Sequence, residues 1–382
     1  MVEEVKRKKK SGNKEPKKRN KVLVIVGRVG IVLGVTILAL VIGLYFMLRI
    51  CCHGPSEKAR DLFVGTFLET GALKWIPGMY FSDEEILKIT SNNSREHLDA
   101  EVDTDLIQIP DGTDDDNGEG NGNQSQYNDN FDENGIEIIE VNGLTFSGKL
   151  MIVKDPSKVS VATIYPWSGW DKDKYGETLD VLVQNSGAIA GINGGEYESA
   201  GNWGGRPKGL VVCNGEIQFS SIQQGDVMIG FNEDNILVIK DLTGMSNEQV
   251  AAMVAEERIR DAVSFKDVDD GDDNHFTKLI INGEPIQFTG NGSGANPRTA
   301  IGQRADGAVL MLVTDGRGHN GHVGATAADL ISIMTQYGAV NAANLDGGSS
   351  SAMYYNGTWE MNSVTLYYAT TSWRLPTGFV VK

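Results

Sequence analysis

The chain has 382 residues, three cysteines and a net charge of −17 at neutral pH. An acidic surface argues against nucleic acid as a partner, because phosphate backbones are bound by basic patches. Cys51 and Cys52 are adjacent and Cys213 stands alone, which excludes a disulfide framework and a CxxC metal site. The length allows one sizeable domain with additional segments.

The N-terminus combines a basic tail with a long apolar run. Residues 1–21 are polar and basic, and residues 22–48 are apolar except for Arg28. The uncharged part, Val29 to Leu48, has 20 residues, close to the roughly 20 that a helix needs to cross a bilayer. We predict a single-pass cell-membrane protein with a cytoplasmic tail (1–21) and a transmembrane helix (22–48). Basic residues before the run place the C-terminal part outside the cell.

Two segments follow the apolar run. Residues 49–98 contain helical stretches, one of them opened by the capping box of Ser82 and Glu85. We interpret them as a helical stalk that stands on the membrane or packs on the main domain. Residues 99–134 hold twelve acidic residues and no Lys or Arg. Such a composition buries too little apolar surface to offset the entropy of ordering, so it predicts an acidic disordered linker.

From Gly135 onward, short apolar runs alternate with turn dipeptides that favour two-residue hairpins. Capping boxes at Ser246 and Thr326 predict helices that run to about Ala262 and about Tyr337. We predict an α+β domain over 135–382, with a mixed, mainly antiparallel sheet, hairpins and a few packed helices. The dipeptides are Asn142-Gly143, Asn214-Gly215, Asn282-Gly283, Asp306-Gly307 and Asn356-Gly357.

Three segments of this domain carry polar side chains between glycines or beside a strand. I-N-G-G-E-Y places Asn193 and Glu196 around a glycine pair, which permits close backbone approach to a ligand. N-P-R-T-A-I-G places Arg298 before a strand, and an arginine fork fits phosphate or carboxylate oxygens. T-D-G-R-G-H-N-G-H places Asp315 at a strand end, a common position for functional residues. Its two histidines do not lie at a helical metal-ligand spacing, so we expect no metal site there.

The fourth segment is N-L-D-G-G-S-S-S, residues 344–351. By composition it is a Gly/Ser linker, but it lies between a capped helix and a strand-like run. Flexible linkers join domains and not a strand to its neighbours. We therefore interpret it as a tight turn that presents Asp346.

Six motifs in order resemble the phosphodiester glycosidase family over about residues 135–382. They are I-N-G-G-E-Y, G-R-P-K-G-L-V, P-R-T-A-I-G, T-D-G-R, G-A-T-A-A-D-L and N-A-A-N-L-D-G-G-S-S-S-A-M. The resemblance implies hydrolysis of a sugar-1-phosphodiester through an oxocarbenium-like state, which needs a carboxylate and donors for the departing phosphate.

On that resemblance Asp346 is the first candidate for the catalytic carboxylate, as nucleophile or base, and Asp315 and Glu196 are further candidates. Substrate and phosphate binding is expected at Arg298, Asn193, Gly194, Gly195, Thr299, Arg317, Gly347, Gly348 and Ser349. The partner is a carbohydrate-phosphate substrate. No organic cofactor is expected, and a divalent metal stays possible.

Two functional hypotheses remain open from the sequence. The first is a membrane-anchored extracellular glycosidase that cleaves sugar-1-phosphodiester bonds in cell-envelope or exopolysaccharide glycans. The alternative is a non-catalytic envelope protein that binds anionic glycopolymers. Turnover of a sugar-1-phosphodiester distinguishes the two.

Overall fold

The computed structural model describes residues 21–70, 73–96, 100–110, 127–164, 176–199, 204–270, 273–365 and 371–382. The predicted cytoplasmic tail, apart from residue 21, and the middle of the predicted acidic linker, 111–126, lie outside these residues. The chain divides into two compact units, Met1–Pro55 and Ser56–Lys382.

The first unit contains one long helix, α1 (Lys21–His53). Its part from Val24 to His53 has a mean hydropathy of 2.7 in its most apolar window, and none of that window is buried. By length and composition this helix is long and apolar enough to cross a membrane.

The second unit combines helices with antiparallel strands. Its helices, within the described residues, are α2 (Glu57–Leu68), α3 (Asp83–Ser91), α4 (Leu179–Asn185), α5 (Asn247–Glu256) and α6 (Ala327–Gln336). Its strands are β1 (Ile136–Asn142), β2 (Ser147–Val153), β3 (Val159–Thr163), β4 (Ala190–Asn193), β5 (Tyr197–Ser199), β6 (Gly205–Pro207), β7 (Gly209–Cys213), β8 (Glu216–Ser221), β9 (Asp226–Asn232), β10 (Leu237–Asp241), β11 (Ile259–Lys266), β12 (Val268–Asp270), β13 (Asp273–His275), β14 (Lys278–Ile281), β15 (Glu284–Pro285), β16 (Thr299–Arg304), β17 (Val309–Thr314), β18 (Ala339–Asn344), β19 (Met353–Tyr355), β20 (Thr358–Met361) and β21 (Thr377–Val381).

Three larger sheets and two short ribbons are formed by these strands. The seven-stranded sheet has the order β1-β2-β17-β16-β18-β14-β15, and the five-stranded sheets have the orders β10-β9-β11-β7-β8 and β20-β19-β4-β21-β3. Strands β12 and β13 form one ribbon, and β5 and β6 form the other. The pairings among the described strands are antiparallel, such as β16 with β17 and with β18. The predicted α+β class with mainly antiparallel sheet is confirmed.

The strand residues alternate between two faces, as the period of two requires. In β17, Met311 and Val313 join the central core that all three sheets share, whereas Leu310 and Leu312 face the opposite side. On that opposite side Leu330 and other residues of α6 cover the seven-stranded sheet. Helix α5 covers the sheet β10-β9-β11-β7-β8 in the same way, and α4 covers the sheet β20-β19-β4-β21-β3. The core therefore lies between sheets, with single helices outside.

Four of the predicted turn dipeptides lie between paired strands, and Asn142-Gly143 begins at the last residue of β1. At three of them, such as Asn214-Gly215, both residues have positive φ, as a two-residue hairpin turn requires. The capping boxes of α5 and α6 are also present. The predicted end of α5 at about Ala262 is wrong, because the helix ends at Glu256. Arg258 has φ of 54° and reverses the chain into β11, where Ala262 lies.

Helices α2 and α3 belong to the second unit and lie against its surface, and we call residues 56–96 the docked segment. The Gly65 backbone approaches that of Gly294 so closely that a Cβ on Gly294 would lie 2.4 Å from the Gly65 carbonyl carbon. The Ala295 amide donates to Thr66 Oγ1 at 3.0 Å. These contacts bring the end of α2 to the edge of the pocket described below.

Candidate functional site

A pocket of about 460 Å³ opens where the sequence motifs meet. The turn at residues 345–351, which we call the site turn, forms one wall. Charged, polar and aromatic side chains from distant parts of the chain form the rest. The lining residues include Glu69, Lys74, Glu196, Tyr197, Phe265, His275, Asn296, Arg298, Arg317, Asp346, Gly347, Gly348, Ser349, Ser350 and Trp373.

The site turn is ordered by backbone contacts and not by side-chain bulk. After β18, Leu345 is buried in the central core, and a short 3-10 turn follows at Gly348–Ser350. The Gly348 amide donates to the Pro297 carbonyl at 2.8 Å. A Cβ on Gly347 would lie 2.9 Å from the same oxygen, so only glycine fits there. The stretch that resembles a linker in composition is a fixed turn.

Asn193 holds this turn against the sheets. Its Nδ2 donates to the Asp346 carbonyl at 2.6 Å, and its Oδ1 accepts from Thr299 Oγ1 at 2.7 Å and from the Ala352 amide at 3.2 Å. Asn193 and Thr299 are fully buried and do not line the pocket. Both were expected to contact substrate, and their hydrogen bonds in the structure instead position the site turn.

Asp346 is a half-buried carboxylate whose surroundings disfavour its charge. Removal from water and the nearby charge of Glu196 raise its pKa from 3.8 to about 7. The Ser350 hydroxyl, the Gly347 amide and the Arg317 guanidinium favour the charged form and limit that rise. The Gly347 amide donates to Asp346 Oδ1 at 2.9 Å. Asp346 therefore changes protonation near neutral pH.

Glu196 is the second carboxylate of the pocket. Its Oε1 forms an ion pair with Lys208 Nζ at 2.7 Å, and its Oε2 is buried without a hydrogen bond among the described residues. Backbone contacts fix its position, because a Cβ on Gly195 would lie 2.4 Å from the Ser264 carbonyl oxygen. A similarly placed Cβ on Gly194 would lie 2.5 Å from Thr377 Oγ1. The glycine pair serves close packing of the strand and not contact with the pocket.

Arg317 reaches the pocket from the loop after β17. Its Nη1 donates to Ser349 Oγ at 2.8 Å, and its Nε is buried without a hydrogen bond among the described residues. Burial and the charge of Arg298 lower its pKa, which the charge of Asp346 opposes. A Cβ on Gly348 would lie 2.5 Å from Arg317 Nη2, so the guanidinium lies directly over the site turn.

Arg298 follows Pro297, whose carbonyl accepts from the site turn, and is largely buried. Its guanidinium packs over the Phe276 ring, 4.9 Å from the centroid, and Nη2 donates to the Gly294 carbonyl at 2.8 Å. The same nitrogen forms an ion pair with Glu69 of the docked segment. Two arginines therefore line the same pocket as Asp346.

Asp315 lies outside the pocket. Its Oδ1 accepts from the Ser147 amide at 2.7 Å, and its Oδ2 lies 2.8 Å from His322 Nδ1. It is buried and does not line the pocket, unlike Arg317 two residues later. Within the described ranges, no three His, Cys, Asp or Glu side chains form a metal-ligand group.

Several lining residues carry no sequence signal that would have identified them. Glu69 and Lys74 belong to the segment predicted as a stalk, and His275, Phe265 and Trp373 lie outside the quoted motifs. Tyr197 and Ser350 are inside quoted motifs but were not selected. The Tyr197 hydroxyl lies 3.2 Å from Ser350 Oγ, and burial raises the pKa of Tyr197.

Comparison with protein-family models identifies one family. The sequence model of the family described as phosphodiester glycosidase matches residues 186–382, just over half of the chain. A SPbeta prophage-derived uncharacterized protein of Bacillus subtilis is 42% identical over 67 residues, which cover 18% of this chain and 10% of that protein.

Solved structures with a similar fold have low sequence identity. The zebrafish N-acetylglucosamine-1-phosphodiester alpha-N-acetylglucosaminidase catalytic domain, auto-inhibited by its pro-peptide, matches with a TM-score of 0.48 and 18% identity, covering 64% of this chain and 81% of that one. A hypothetical protein from Synechocystis matches with a TM-score of 0.41 and 15% identity, covering 65% of this chain and 62% of that one. An exported protein of Burkholderia pseudomallei matches with a TM-score of 0.39 and 15% identity, covering 62% of this chain and 74% of that one.

Proposed function

Because the chain belongs to the phosphodiester glycosidase family, whose members are hydrolases of phosphodiester glycosidic bonds, we propose that it hydrolyses a sugar-1-phosphodiester. The observation that carries the proposal is Asp346, whose pKa is raised to about 7 in a pocket that Arg298 and Arg317 line. A proton acceptor works best when its pKa lies near the working pH.

Water is the nucleophile in this reaction. As water attacks the anomeric carbon, Asp346 takes one of its protons, and the bond from that carbon to the phosphate oxygen breaks. The electron pair of that bond leaves with the phosphate, which stays on its other partner as a monoester. Charge thus develops on the departing oxygen, where a guanidinium stabilises it most. Arg298 and Arg317 supply the guanidinium groups.

Glu196 acts on Asp346 through its charge. It raises the pKa of Asp346, and its own ion pair with Lys208 holds it in place. A like charge nearby disfavours the ionised form of a carboxylate. Glu196 is in this account a positioning and electrostatic residue, and Asp346 is the catalytic one.

The proposed location of the activity outside the cell is supported by α1. A helix that is long and apolar enough to span a membrane follows a basic tail, and basic residues favour the cytoplasmic side. The second unit would then face outward, where sugar-1-phosphodiesters of cell-envelope or exopolysaccharide glycans are the available substrates. A divalent metal requirement is included in the test below.

The test uses the full chain in detergent and a panel of sugar-1-phosphodiesters, with and without chelator, with release of free sugar as the readout. Wild type should turn over at least one member, and Asp346→Asn and Arg298→Ala should lose turnover while staying folded by circular dichroism. Glu198→Gln is the matched control, since Glu198 is exposed and lies outside the pocket. A folded wild type that binds the panel without turnover would support the binding-protein alternative instead.

A further inference from the structure

The loop between β17 and α6 supplies one of the two pocket arginines, and we call residues 315–324 the arginine loop. Both ends of the loop are fixed on the start of β2 and the turn before it. The Asp315 amide donates to the Ser147 carbonyl at 2.8 Å, and the Gly324 amide donates to the Thr145 carbonyl at 2.8 Å. The Thr145 hydroxyl donates back to the Gly324 carbonyl at 2.8 Å. The ends of the loop are therefore held by the seven-stranded sheet.

The middle of the arginine loop is held less firmly, because residues 318–321 are exposed. The Arg317 amide donates to the Val323 carbonyl at 3.0 Å. The Gly318 amide donates to the His322 carbonyl at 2.7 Å, and water competes for backbone bonds at such a position. Arg317 has φ of 53°, a left-handed conformation that a residue other than glycine keeps only when its surroundings hold it. The direction of the Arg317 side chain therefore depends on closure of the loop.

A side-chain hydrogen bond ties the arginine loop to a buried group. His322 Nδ1 lies 2.8 Å from Asp315 Oδ2, and Nδ1 is the donor because an ionised carboxylate only accepts. The Asp315 side chain is 4% exposed, whereas that of His322 is 25% exposed. The other oxygen of Asp315, Oδ1, accepts from the Ser147 amide at 2.7 Å. Asp315 is thus fixed on the sheet, and it holds His322 in turn.

The side chain of Arg317 has neutral hydrogen-bond partners. Its Nη1 donates to the Ser349 hydroxyl at 2.8 Å, and its Nε has no hydrogen bond among the described residues. The guanidinium lines the pocket. A cation with neutral partners can form charge-assisted hydrogen bonds with an anionic ligand. The position of this guanidinium therefore affects how the pocket binds an anion.

We propose that His322 is a positioning residue for Arg317. Its hydrogen bond to Asp315 closes the arginine loop, and the closed loop directs the guanidinium towards the phosphate of the substrate. This role rests on the proposed function, which assigns Arg317 to the departing phosphate. Asp315, which the sequence offered as a further catalytic carboxylate, acts outside the pocket as the anchor of His322.

Two side-chain amides test the bond because they differ in reach. Asparagine places an amide nitrogen where Nδ1 of a histidine lies, glutamine extends to the position of Nε2, and leucine has no donor. His322→Asn therefore keeps the donor to Asp315, and His322→Gln and His322→Leu lose it. His319→Leu is the matched control, since His319 is exposed in the same loop.

The experiment measures binding of inorganic phosphate to the full chain in detergent by isothermal titration calorimetry. His322→Leu and His322→Gln should bind phosphate about tenfold more weakly than wild type, because a hydrogen bond to a charged group contributes about that factor. His322→Asn and His319→Leu should stay within about twofold of wild type. Equal affinities of His322→Leu and wild type would overturn the proposal, as would an affinity of His322→Asn as weak as that of His322→Leu.

A double variant shows whether the effect passes through the guanidinium. Arg317→Ala should itself weaken phosphate binding, and Arg298 remains in the pocket to bind the anion. Adding His322→Leu to Arg317→Ala should then change the affinity by less than about twofold, because changes that act through one group are not additive. A full second loss would show that His322 acts by another route and would contradict the proposal.

A second way to open the loop leaves His322 and Asp315 unchanged. A Cβ on Gly316 would lie 2.7 Å from Gly324 Cα, so Gly316→Ala should separate the two ends of the loop and also weaken phosphate binding. If His322→Leu does not fold, this variant decides the question, and unchanged affinity counts against the proposal. Phosphate binding does not require turnover, so the expected order of affinities in a chain that cleaves no panel member would refute the proposed function alone.

Discussion

Neutralising Glu196 should shift the pH dependence of turnover. The negative charge of Glu196 is one of the causes that raise the pKa of Asp346 to about 7, after removal from water. In Glu196→Gln that charge is gone, while Lys208 stays nearby, so the pKa of Asp346 should fall. The active carboxylate form would then persist to lower pH.

The size of the effect follows from the raised pKa. A shift from 3.8 to about 7 costs the carboxylate about 4 kcal/mol relative to the protonated form at 1.36 kcal/mol per pKa unit. With a pKa of about 7, about 1% of Asp346 is ionised at pH 5, so kcat/KM should be about a hundredfold below its plateau. A nearby like charge contributes on the order of one pKa unit, so kcat/KM of Glu196→Gln at pH 5 should be about tenfold above that of wild type.

The assay is kcat/KM for a sugar-1-phosphodiester between pH 4.5 and 9, because this parameter reports groups of the unbound enzyme. Glu198→Gln is the control, since it removes a charge from the exposed face of β5. If the fall of kcat/KM at low pH stays at the same pH in Glu196→Gln, or moves to higher pH, the electrostatic role of Glu196 is refuted. Loss of turnover at every pH would instead mean that Glu196 takes part in the reaction directly.

Three further changes test the site turn. Asp346 binds its proton more tightly in the folded chain, so the stability that the protonated group contributes is fully present below pH 3.8 and is lost as pH rises through about 7. Asp346→Asn should therefore raise the unfolding free energy at pH 8, by about 4 kcal/mol at most. Near pH 3 the substitution should leave it unchanged, and urea titration measures both values. Asn193→Ala leaves the Asp346 carbonyl without its donor and should cost about 1–3 kcal/mol in the same titration. Gly348→Ala places a Cβ 2.5 Å from Arg317 Nη2 at a residue with φ of 62°, so this variant should lower kcat/KM at least tenfold. Gly357→Ala is the control, because Gly357 also has positive φ but has open space around it. The control should lose stability and keep its kcat/KM.

Local signals in the sequence predicted much of the fold. Asn-Gly dipeptides predicted hairpins because few other residue pairs adopt two successive positive φ angles, and the structure has them at residues 214–215, 282–283 and 356–357. Capping boxes predicted where α5 and α6 begin. The end of α5 was predicted too late, because the reversal depends on the positive φ of Arg258, which its residue type does not indicate.

The candidate site was predicted less completely than the fold. The motifs supplied Asp346, Glu196, Arg298 and Arg317, which the structure brings to one pocket. Motif membership does not reveal which way a buried side chain points, and therefore Asn193 was interpreted as a substrate ligand although it bonds within the protein. Contacts between distant segments have no local signal at all.

Glu69 illustrates that last limit. It stands in the ordinary helical stretch T-F-L-E-T, and its partner Arg298 is 229 residues away. Neither the composition nor the periodicity of α2 indicates a residue in the pocket. The pairing follows from the close backbone approach of Gly65 and Gly294, which depends on the tertiary structure.

In the proposed reaction water attacks the anomeric carbon and the phosphate departs. Hydrolysis of a sugar-1-phosphodiester by the full chain in ¹⁸O-labelled water, followed by mass spectrometry of the phosphate monoester, tests it most directly. Cleavage at the carbon leaves the phosphate monoester without label, and Asp346→Asn should give no product above background. Label in the phosphate monoester would show attack at phosphorus and contradict the account, as would the absence of any product from the folded wild-type chain.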